Sequence, residues 1–74
     1  MLSNSTLRHI WQIVEKAQAR LLLEFTDSEL VRWIQIQLES QIFVSDWEIN
    51  AACNYIQTRI PLIRDLAESR LATA

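Results

Sequence analysis

Seventy-four residues, half of them hydrophobic, with a net charge of −2, describe one small domain with enough apolar material for a core. A chain this short buries only about 60% of the surface its unfolded form exposes, and such cores supply roughly 3–5 kcal/mol unless they are stapled or oligomeric. One cysteine, Cys53, and one histidine, His9, exclude an internal disulfide and a zinc site of the usual Cys/His kind, which leaves burial against another chain as the route to extra stability.

The first predicted element is a helix from about Ser5 to Leu23. Leu7, Ile10, Trp11, Val14, Ala17, Gln18, Leu21, Leu22 and Phe25 follow the 3–4 spacing of one helical face, while Arg8, Gln12, Glu15, Lys16 and Ala19 fall opposite. Ile13 and Leu23 are apolar but lie off the stripe. The chain holds no glycine at all, and hairpin turns, phosphate loops and Schellman caps lean on that residue. Helices joined by short, non-glycine turns are therefore expected.

A second helix, about 27–41, opens on "FTDSEL". Thr26 stands at the N-cap with Glu29 three residues later, a capping box, and Phe25 and Leu30 are placed as a hydrophobic staple. Asp27 and Glu29 suit the positive end of the helix. Leu30, Val31, Ile34 and Leu38 form the main face, with Trp33 and Ile36 on another side. The helix ends near Gln41, which leaves Ile42 and Phe43 available to plug the end of a bundle.

The third start, "VSDWEI", repeats the same grammar: Ser45 as cap, Glu48 closing the box, Val44 stapled to Ile49. The helix is expected to run over about 46–71. Ile49, Ala52, Cys53, Ile56, Ile60, Ile63, Ala67 and Leu71 make one stripe, and its phase is kept on both sides of Pro61, the only proline. One long kinked helix accounts for that continuity. The alternative is a break, with Pro61 opening a separate helix. The expected fold is thus all-α: a helical hairpin plus a longer third helix, bundle-like, kinked or broken near Pro61, in a single domain.

The tail "YIQTRIPLIRDLAESR" resembles small, uncharacterised all-helical proteins of cyanobacteria. The likeness covers the last third of the chain and contains no catalytic or binding motif, so it implies no activity. It is compatible with a cytoplasmic accessory protein.

The third helix carries a second apolar stripe, Ala51, Tyr55, Leu62 and Leu66, and a three-helix monomer normally needs one apolar face per helix. Trp33, Ile36, Tyr55, Leu62 and Leu66 are accordingly expected at an interface between chains, against the alternative that the third helix is central and packs on both sides within the monomer. The other candidates have plainer readings. His9 lies on the polar face of its helix and reads as solvated. Cys53 lies on the core stripe and reads as a small buried hydrophobe. Asp27, Glu29, Asp46 and Glu48 fall in first turns, where capping accounts for them better than acid–base catalysis. Asn50, Asn54 and Gln57 read as a solvated ridge.

No phosphate loop, metal set or nucleophile–base pair is present in the sequence, so an enzyme is not expected and no cofactor is implied. The basic residues are scattered, and in a helix-turn-helix reading Asp46 and Glu48 would be set against phosphates. No segment approaches the roughly 20 apolar residues that span a bilayer. The opening residues lack the pattern of a secretory signal, and the free cysteine fits a reducing compartment, so a cytoplasmic location is expected. The leading expectation is a protein–protein interaction module, as a homo-oligomer or an accessory subunit of a larger complex. The alternative is a small regulator contacting nucleic acid through the third helix.

Overall fold

The computed structural model of the chain describes residues 2–72. Four helices follow one another: α1 (Asn4–Lys16), α2 (Ala19–Glu24), α3 (Asp27–Gln41) and α4 (Asp46–Ala72), with no strand among the described residues. The expected all-α architecture is present. α4 runs the length of the molecule, whose extents are 37 × 20 × 19 Å, and packs against the three other helices. α1 also packs on α3.

The single helix expected over 5–23 is two. Ala17 and Gln18 leave helical geometry, with ψ of 150° and 134°, and the chain re-enters a helix at Ala19. The apolar periodicity carries no mark of this break because the stripe on either side is nearly in phase. What supports the break comes from the far end of the chain. The Arg70 guanidinium reaches the carbonyls of Val14 and Ala17, which would otherwise be orphaned at the C-terminus of α1. The small buried residues Ala17 and Ala19 flank the joint, and Leu22 beyond it is fully buried. Ile13, off the predicted stripe, is buried as well, because α1 is covered by α3 on one side and α4 on another.

α3 begins as expected. The Thr26 hydroxyl accepts the Glu29 N–H at 3.3 Å, and the Glu29 carboxylate accepts the Thr26 N–H at 2.9 Å. Leu30, Val31, Ile34 and Leu38 are its buried face. α4 begins differently from the expected capping box. The Ser45 carbonyl accepts the Ile49 N–H, but Glu48 turns away from the Ser45 N–H toward α1. Its Oε2 accepts the Ser3 N–H at 3.1 Å and the Thr6 hydroxyl at 2.9 Å. α1 has its own cap, the Ser3 hydroxyl accepting the Thr6 N–H.

α4 is one helix through Pro61, which settles the choice between a single helix and a break. Pro61 is on the exposed side, as is Gln57, whose carbonyl loses its donor. Water can therefore serve that carbonyl. On the opposite side Ala52, Ile56, Ile60, Ile63 and Ala67 are buried in the common core with Ile10, Val14, Leu22, Leu30, Ile34 and Leu38. Leu71, the last member of the predicted stripe, departs from it and is exposed.

Candidate interaction surface

Two long arginine side chains of α4 organise the joints between the short helices. Arg64 Nη1 donates to the Leu22 carbonyl at 3.3 Å, and Nη2 donates to the Phe25 carbonyl at 3.0 Å and to Asp27 Oδ1 at 2.7 Å. Arg70 makes the equivalent fork at Val14 and Ala17. In both cases the two carbonyls are three residues apart at a helix C-terminus, where the dipole is negative and a cation is favoured. The sequence contained this signal indirectly, since helices that end without glycine need other donors. These contacts fix Phe25, and through it the outer surface of α3.

Phe25 packs on Trp33, with ring centroids 5.9 Å apart. Together with Ser28, Glu29, Arg32 and Ile36 they line an open groove of about 370 Å³ whose wall is almost wholly apolar. Ile36 is 50% exposed. The structure thus brings Trp33 and Ile36 together, as the sequence reading grouped them.

Tyr55 is placed otherwise. It is half-buried between α1 and α4, edge-on to Trp11, and its hydroxyl accepts the Trp11 indole N–H at 3.0 Å. The Arg59 guanidinium covers its ring, 5.0 Å from the centroid. Leu62 and Leu66 follow Tyr55 at helical spacing and are 46% and 43% exposed. The five residues expected at an interface therefore divide between two elements: Trp33 and Ile36 on α3, and Tyr55, Leu62 and Leu66 on α4, with Tyr55 also holding α1 in place.

Phe43 does not plug the end of the bundle. It is 97% exposed, in the connection between α3 and α4, while Ile42 and Val44 on either side pack on the core. Trp47, in the first turn of α4, is exposed too. Sequence periodicity could not mark Phe43, because the connection is extended and carries no stripe.

The remaining candidates have local partners. Cys53 is half-buried and its thiol donates to Gln35 Oε1 at 3.3 Å. Burial pushes its pKa up, and the charge of Glu39 adds to this, so the thiol stays protonated and a poor nucleophile at neutral pH. His9 is half-buried with Nδ1 2.8 Å from the Ser5 carbonyl. Asn50, Asn54 and Gln57 are exposed. The Glu48 carboxyl is held below its ordinary pKa, first by the Ser3 N–H and then by the Thr6 hydroxyl. Among the described residues there is no group of three or more metal-ligating side chains, and no helix is long and apolar enough to cross a membrane. No protein-family model, curated protein or solved structure matches the chain.

Proposed function

We propose that this chain is a non-enzymatic protein–protein interaction module of the cytoplasm, working as a homo-oligomer or as an accessory subunit of a larger assembly. The observation that carries the reading is the set of large apolar side chains left in contact with water on so small a domain: Ile36, Phe43, Trp47, Leu62, Leu66 and Leu71. Scattered exposed leucines are ordinary. A nearly naked phenylalanine, an exposed tryptophan and an apolar groove on one short chain are not, and aromatic anchors of this kind dominate interface energies. The core is already filled by other residues, so folding of the monomer gives these side chains no cover.

The test uses purified protein in a salt series. The reading predicts species heavier than the monomer whose proportion is insensitive to salt and falls in at least one of two variants that keep their helicity, Phe43→Glu on one surface or Leu62→Glu, Leu66→Glu on the other. Burial of apolar surface is screened little by salt, whereas binding to phosphates is lost steeply as salt rises. A protein that stays monomeric and is retained on nucleic acid in a salt-dependent manner would overturn this reading in favour of a nucleic-acid-binding regulator.

A further inference from the structure

The exposed Phe43 and the apolar groove on α3 are complementary features of one chain. Phe43 lies just beyond the C-terminus of α3, and the groove lies over its first half, with Phe25 and Trp33 as apolar walls. Trp33 lies eight residues before the end of α3, about 12 Å along the helix axis, and Phe43 lies beyond that end in the extended connection, so a chain cannot place its own Phe43 in its own groove. We propose that the groove receives Phe43 of a second copy of this chain, in an antiparallel, two-fold pairing of α3 helices. The proposal rests on the protein-interaction reading and names the partner.

The register supports a closed pair. In a two-fold interface each contact is made twice, residue i on j and j on i. An axis crossing α3 near Leu38 lays the connection beyond each Gln41 over the Trp33 end of the other copy, within reach of its groove. The same axis sets Ile36 against Ser40, whose small side chain permits close approach. Arg32 lies in the groove and Asp46 three residues past Phe43, so a Phe43 seated in the groove carries an acidic side chain toward a basic one on the other copy. Both are exposed, and neither has an ion-pair partner among the described residues. Antiparallel α3 helices also lay each negative C-terminus beside a positive N-terminus. A lipid surface is a poorer occupant for Phe43, because Glu39, Asp46 and Glu48 surround it in sequence and would be repelled by anionic headgroups. The face of one 15-residue helix lies at the small end of specific interfaces, about 1,200 Å² in total, so the dimer is weak and concentration-dependent.

Sedimentation equilibrium over a concentration series tests the pairing with five proteins besides the wild type: Phe43→Ala, Arg32→Asp, Asp46→Arg, the Arg32→Asp, Asp46→Arg double variant, and Leu62→Glu. The wild type is expected to pass from monomer to dimer. Phe43→Ala should raise the dissociation constant tenfold or more while thermal unfolding of the monomer is unchanged, since the side chain touches little within its own chain. Each single charge reversal should weaken the dimer several-fold, and the double variant should restore it. Leu62→Glu should leave it intact. A dimer that survives Phe43→Ala and is split by Leu62→Glu overturns this pairing and leaves the interaction reading standing on the α4 face. Masses that grow beyond two chains overturn the two-fold arrangement. A wild type that remains monomeric throughout overturns self-association through α3, and the accessory-subunit arm is then decided by cross-linking in the cell.

Discussion

Arg64 and Arg70 each span two carbonyls three residues apart, at the ends of α2 and α1. A lysine can neutralise a helix end but cannot fork across two acceptors, because its ammonium is a point charge on a flexible stem. Arg64→Lys should therefore lose most of what Arg64→Ala loses, about 1–2 kcal/mol for charge-assisted bonds that remain partly solvated. Chemical denaturation would measure both, and a lysine variant as stable as wild type would show that charge alone matters at that joint. The seven basic residues looked featureless in the sequence because the partners of these two, in α1 and α2, lie roughly 40 to 55 positions away. Glu48 is a second residue whose role depends on a distant partner. Its pKa is lowered in the fold by the Ser3 N–H and the Thr6 hydroxyl. A carboxylate lowered in this way contributes stability that is present above its unfolded pKa and lost as pH falls through the folded one. Unfolding of the wild type should thus become easier on acidification below the ordinary carboxylate range. Glu48→Gln should be less stable at neutral pH and show a shallower acid dependence. Parallel pH profiles for the two proteins would contradict the assignment.

At the level of elements, what was legible was whatever is encoded within a few residues. The start of α3 followed from Thr26 and Glu29 because both bonds of that capping box are local. The identical pattern at Ser45 and Glu48 did not close, since a nearby helix N-terminus offered Glu48 an N–H and a hydroxyl. Thr26→Ala should cost about 1 kcal/mol, and Ser45→Ala clearly less. Equal shifts in their denaturation midpoints would mean that Ser45 caps α4 after all. The interruption at Ala17–Gln18 was invisible for a related reason: an apolar stripe reports which side is buried and says little about a short non-helical joint within it. Pro61 was legible in part, because the unbroken phase of Ile56, Ile60 and Ile63 favoured one helix over a break, and the proline sits where solvent can satisfy the carbonyl it frees.

For the molecule as a whole, the core was readable from periodicity and the surface was readable in part. Ile36, Leu62 and Leu66 are exposed at the positions their spacing assigned. Tyr55 sits against Trp11, a pairing across 44 residues that no helical wheel contains. Phe43 was misjudged because a phenylalanine in a connection between helices is ordinarily drawn into the core, and here its neighbours Ile42 and Val44 take that place. Both surfaces support the proposal that another protein chain covers these side chains. Site-specific photo-cross-linking in the native cell tests it most directly, with the reactive group placed at Phe43, Ile36 or Leu62 and, as control, at the exposed Gln57. The account predicts discrete protein adducts from at least one of the three apolar positions and none from Gln57. Adducts to nucleic acid, or no adduct from any position, would contradict it.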